Sequence, residues 1–105
     1  MTSAELNNRA MTDERLMDIK RSVRHFILEN FLFTNDESAL EDARSLIETG
    51  TMDSTGVLEL IMFLEETFGV QVSDAEALPQ NLDSVTRIVA FLEHKLERKP
   101  HGARS

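Results

Sequence analysis

The sequence predicts an all-α fold: a small four-helix bundle of three longer helices and one short one, with a long loop between the first and second helices. Three observations lead there. Apolar residues recur at helical spacing in three separate stretches. The apolar content is mostly aliphatic and methionine, with no Trp or Tyr and only two prolines, a bias that suits helices better than a β-sandwich. The chain has 105 residues, enough for one self-sufficient core and no more than one domain.

Thr12 followed by Asp13 and Glu14 reads as a helix start, since a hydroxyl can cap the free N–H groups and acids favour the first turn. Leu16, Ile19, Val23, Phe26 and Ile27 then lie on one face, so a first helix is expected from about 12 to 32. Residues 34–53 have no periodicity but contain apolar anchors at Leu40, Leu46, Ile47 and Met52. They predict a long loop pinned to the core, with a short helical turn near Ser38 to Arg44; a loop of this length in a small domain points to function.

The second helix is expected to begin at Asp53-Ser54 and to bury Val57, Leu60, Ile61, Leu64 and Phe68, ending at Gly69. Asp74 to Leu78 predicts a short third helix that Pro79 stops. Asn81-Leu82-Asp83-Ser84 offers a cap for a last helix, whose buried face is Val85, Ile88, Val89, Leu92 and Leu96 and whose end falls near Arg98. The domain is thus expected over residues 12–97, between a disordered N-terminal extension at 1–11 and a disordered basic tail at 98–105 carrying Arg98, Lys99 and Arg104.

Charge and composition exclude several functions. The formal net charge is -8. Residues 34–78 hold the acids Asp36, Glu37, Glu41, Asp42, Glu48, Asp53, Glu59, Glu65, Glu66, Asp74 and Glu76 against the single base Arg44, so nucleic acid is not an expected partner. With no cysteine there is no disulfide, no thiolate metal site and no sulfur nucleophile in the chain. The longest apolar runs, such as Leu60 to Leu64, are far short of the roughly 20 residues of a membrane span. The stretch MTSAELNNRAMTDER has neither a basic nor an apolar signal region, which predicts a cytoplasmic address. His25, His94 and His101 offer Ser54 no triad, and the acids Asp36, Glu37, Glu41 and Asp42 lack the glycine and spacing of a calcium loop, so no metal is expected.

Ser54 is the residue that carries chemistry. A phosphate esterified there would meet unpaired backbone N–H groups and the positive end of a helix dipole. The plainer alternative is that Asp53-Ser54 only caps a helix, and Asp83-Ser84 is an internal control: the same pair, also before a helix, but without the Glu-Leu-Ile-Met-x-Leu-Glu-Glu-x-Phe-Gly pattern that follows Ser54. Ser84 is therefore expected to be a cap alone. On the exposed side of the second helix, Glu59, Met62, Glu65 and Glu66 place acids beside an apolar group, as a docking surface would.

The order of elements, with the segment MDSTGVLELIMFLEETFGVQV at 52–72, resembles the acyl carrier and peptidyl carrier family, over about residues 12–97. The resemblance implies a stand-alone, non-enzymatic, monomeric carrier in which a phosphopantetheinyl transferase attaches 4'-phosphopantetheine, taken from coenzyme A, to the Ser54 oxygen. It implies that Asp53 helps that transferase, and that Glu59, Met62, Glu65 and Glu66 meet basic patches on partner enzymes. Cargo would be an acyl or aminoacyl thioester, loaded by a ligase and passed to downstream enzymes of fatty acid, polyketide or nonribosomal peptide biosynthesis. Thr55 and Gly56 depart from the leucine and acid common in fatty-acid carriers, and Asp-Ser-x-Gly is closer to D-alanyl or aminoacyl carriers loaded by an adenylating ligase. The competing class is an unmodified acidic helical adaptor that binds a basic protein.

Overall fold

The computed structural model describes residues 13–102, with side chains over 13–97. The Thr12 cap, the extension at 1–11 and the end of the basic tail lie outside the described residues. Among the described residues the elements are all helical. Helix α1 spans Asp13–Ile27 and continues as a π-turn, Leu28–Leu32. A 3₁₀ turn at Glu37–Ala39 interrupts the following loop. Helix α2 spans Ser54–Phe68, the short α3 spans Pro79–Leu82 and α4 spans Val85–Gly102, running past the end near Arg98 that the apolar stripe suggests. No helix among the described residues is long and apolar enough to cross a membrane.

Each expected stripe supplies the core. Ile19, Val23 and Ile27 of α1, Leu60 and Leu64 of α2, and Val85, Ile88 and Leu92 of α4 are buried, while Phe26, Val57, Ile61, Phe68, Val89 and Leu96 pack around them. At roughly 2 kcal/mol for each fully buried aliphatic side chain, this shared core is the main stabilising contribution. Phe26 stacks on Phe63 with centroids 4.2 Å apart, and the Phe31 ring reaches Gly56. A register that pairs 26 with 63 and 31 with 56 makes α1 and α2 antiparallel, so the end of α1 and the start of α2 share one end of the bundle.

The short helix differs from expectation. One turn does form after Ser73, where the Glu76 and Ala77 N–H groups donate to the Ser73 carbonyl, but α3 itself starts at Pro79 where it was expected to have stopped. A proline lacks only a donor that the first turn leaves unpaired anyway, and its φ is already helical. α2 ends as expected: Gly69 adopts φ 70° and its N–H donates to the Glu65 carbonyl.

Candidate functional site

The loop 34–53 delivers the chain to α2 and is clamped from two sides. On the α1 side the Arg24 guanidinium donates to Glu37 Oε1 at 2.9 Å, to the Glu37 carbonyl at 2.7 Å, to the Leu40 carbonyl at 3.0 Å and to Asp42 Oδ1 at 2.6 Å. Lys20 pairs with the other Asp42 oxygen at 2.6 Å. Burial alone would push the Asp42 carboxyl up, but the hydrogen bonds and charges of Lys20 and Arg24 outweigh it and hold it below the usual range. Burial would likewise lower the Arg24 pKa, yet its bonds to Glu37 and Asp42 leave it raised. Glu37 and Asp42 are thereby occupied by cations of the chain itself, Glu41 pairs with Arg44 at 3.0 Å, and the described residues contain no carboxylate or histidine cluster suited to a metal.

On the α4 side Asp83 holds the loop. Its carboxylate accepts from Ser45 Oγ at 2.6 Å and from the Ile47 N–H at 2.9 Å, and its carbonyl accepts from the Leu46 N–H at 2.7 Å. The Leu46 carbonyl in turn accepts from the Met52 N–H at 3.0 Å. Leu40, Leu46 and Met52 are buried anchors as expected; Ile47 is not, being 44% exposed, because the tight turn at 46–50 points it outward while its N–H faces Asp83.

This clamped loop ends at Asp53, the N-cap of α2, whose carboxylate accepts from the Gly56 N–H at 2.8 Å. The Val57 N–H donates to the Asp53 carbonyl at 2.9 Å. Ser54 is then the first helical residue, and it is exposed. Its own N–H and that of Thr55 belong to the first turn, where an α-helix has no internal acceptor to give them. Gly56 is buried against the loop: a Cβ there would lie 2.9 Å from Met52 Cγ and 3.3 Å from the Phe31 ring. The glycine that departs from the fatty-acid pattern therefore lets the first turn of α2 seat on the loop and on the end of α1.

The second Asp-Ser pair is used differently. Ser84 is 3% exposed and its Oγ accepts from the Arg87 N–H at 3.1 Å, capping α4, while Asp83 serves the loop. One pair faces outward and the other inward.

Of the remaining α2 positions singled out, Glu59, Met62 and Glu66 are exposed and, at i, i+3 and i+7, share one face. Glu65 is only half-exposed, and its carboxylate accepts from the Val72 N–H at 3.0 Å, tying the connector at 70–72, which follows α2, back to the end of that helix. Phe63, which the stripe left partly outward, is half-buried between Phe26 and Phe68. Sequence reasoning missed Arg24 and Asp83, since their partners lie up to 38 positions away; it also missed the exposed Phe33, at 81%, whose signal was a phenylalanine where a helix end calls for glycine.

Fold and site together define a helical bundle that displays an exposed serine hydroxyl at the start of its second long helix. No sequence profile of a known family matches the chain. Among curated proteins, the acyl carrier protein of Campylobacter hominis is 31% identical over 83 residues, covering 79% of this chain and 100% of that protein. The D-alanyl carrier protein of Streptococcus pyogenes is 36% identical over 74 residues, covering 69% of this chain and 92% of that protein. The chain belongs to the carrier protein family of which these are members. Such proteins carry acyl groups and do not catalyse, so this chain is not an enzyme.

Proposed function

We propose that Ser54 is the attachment site of a 4'-phosphopantetheine arm and that the protein carries an acyl or aminoacyl group between enzymes. The observation that carries the reading is the contrast between the two Asp-Ser pairs: Ser54 is exposed on the first turn of α2, whereas Ser84 is 3% exposed and spent as a cap. An enzyme that transfers a phosphopantetheinyl group to a serine oxygen must reach it, and of the two paired serines Ser54 alone is exposed.

The residues fit the group. A phosphodiester on Ser54 Oγ would lie at the positive end of α2, beside the first-turn N–H groups of Ser54 and Thr55. Asp53 fixes the turn by accepting from Gly56, and its exposed flank is available to the metal-bound substrate of the modifying transferase. When attached, the arm supplies the thiol this cysteine-free chain lacks, and the cargo rides on it as a thioester. The face of Glu59, Met62 and Glu66 meets basic partner surfaces, where complementary charge speeds encounter and weak contact allows release. Glu65 contributes charge there while holding the connector. The partners are a phosphopantetheinyl transferase, a loading ligase and downstream biosynthetic enzymes; the protein acts as a cytoplasmic monomer, its net charge opposing self-association.

Two features favour a cargo loaded by an adenylating ligase: the Asp-Ser-Thr-Gly sequence at 53–56, and the similarity to a D-alanyl carrier protein. The test is intact-mass analysis after co-expression with a broad-specificity phosphopantetheinyl transferase. Wild type and Ser84→Ala are expected to gain one arm and Ser54→Ala none. A wild type that stays unmodified would favour the acidic adaptor.

A further inference from the structure

Phe33 closes the π-turn in the left-handed region, φ 54° and ψ 44°, with its N–H donating to the Leu28 carbonyl. It is the one non-glycine residue with positive φ among those described. A side chain is disfavoured in this conformation, and helix ends that need it commonly use glycine. Burial does not compensate, because Phe33 is 81% exposed. Both properties act against the isolated fold: a glycine would relax the backbone and remove an aromatic ring from water. Among the described residues the ring joins no part of the core that would offset those costs.

Its position says what lies outside. Phe31 reaches Gly56, and α1 and α2 are antiparallel, so Phe33 and Ser54 emerge from the same end of the bundle. The path from Phe33 through Phe31 and Gly56 to Ser54 is at most roughly 20 Å long. A standard interface of about 800 Å² per partner is roughly 30 Å across. A patch of that size that includes Ser54 is wide enough to include Phe33 as well. Leu58, 63% exposed, stands one turn beyond Ser54, and the exposed acids Asp36, Asp53 and Glu59 lie within three positions of Phe33, Ser54 and Leu58 along the chain.

We infer that Phe33 is a docking residue for the enzyme that modifies Ser54, inserting into an apolar pocket rimmed by basic side chains. The inference rests on Ser54 being the attachment site. Exposed aromatics make effective anchors because they bring large area with little side-chain entropy to lose.

The test uses the full chain with a broad-specificity phosphopantetheinyl transferase and coenzyme A, reading KM for the carrier, kcat and Tm. Phe33→Gly and Phe33→Asn, both at ease in the left-handed region, are expected to raise KM about fivefold or more with kcat unchanged, while Tm stays level or rises by a few degrees. Phe33→Tyr should restore the wild-type KM, and the wild-type KM should rise with salt. An unchanged KM in the glycine and asparagine variants would overturn the inference while leaving Ser54 as the attachment site. A fall in Tm in both variants would overturn it too, by showing that the ring supports the fold. A wild type that accepts no arm would remove the attachment reading and this one with it.

Discussion

Asp83→Ala is expected to loosen the loop that leads to Ser54 without touching Ser54 itself. The carboxylate accepts from Ser45 Oγ at 2.6 Å and from the Ile47 N–H at 2.9 Å. Hydrogen bonds to a charged acceptor are worth about 1.5–3 kcal/mol each when buried, and Asp83 is half-exposed, so water replaces part of each. A loss of about 2 kcal/mol in total follows. For a domain of this size that corresponds to a fall in Tm of roughly 10 °C, measurable by thermal or urea unfolding. The loss should be local as well: amide exchange at Ile47 and Met52 should speed up roughly 30-fold if the opening free energy falls by the same amount. Asp83→Asn keeps an acceptor for Ile47 and offers an N–H to Ser45, and should recover at least half the loss. Stability within about 0.5 kcal/mol of wild type together with unchanged exchange over 45–52 would refute the view that Asp83 holds this loop.

Gly56→Ala opposes two effects. Alanine gains about 1 kcal/mol of helix propensity, but its Cβ would sit 2.9 Å from the buried Met52 side chain, an overpacking that costs about 1–3 kcal/mol; net destabilisation of about 1 kcal/mol is expected by urea unfolding. Arg24→Met removes the clamp on α1. Because the folded Asp42 pKa lies below its unfolded value, Asp42 contributes stability above the ordinary carboxylate pKa that is lost as pH falls through the folded one. The variant should thus be weakened most at pH 7, and the gap to wild type should narrow below about pH 4, as urea unfolding at a series of pH values would show. Glu65→Ala frees the buried end of the connector and should cost about 1–2 kcal/mol, whereas Glu59→Ala and Glu66→Ala, both exposed, should stay within about 0.5 kcal/mol and weaken partner binding in a salt-dependent way. Equal stability for all three variants would show that the Glu65 to Val72 bond contributes nothing.

The three long helices, the buried face of each and the place of Ser54 at the start of the second were legible in the residue pattern. Those properties are local: Leu60 and Leu64 face inward because of their spacing along one helix, and Ser54 is marked by the residues immediately around it. The tertiary structure alone decided how the same tokens are used at different places. Pro79 fits the start of a helix as well as its end, and the outcome depended on how the Ser73 turn and α4 were joined. Asp53 and Asp83 look alike in sequence, yet one caps its own helix and the other reaches back to Ser45, because only folding brings position 83 beside the loop. Arg24 is one of several bases on α1 until the loop lies across it. Phe33 is one more apolar residue at the end of a run until its backbone is seen in the left-handed region with the ring in solvent. For Asp83, Arg24 and Phe33 the deciding interaction joins residues that the chain holds far apart, or turns on a backbone angle that side-chain pattern does not encode.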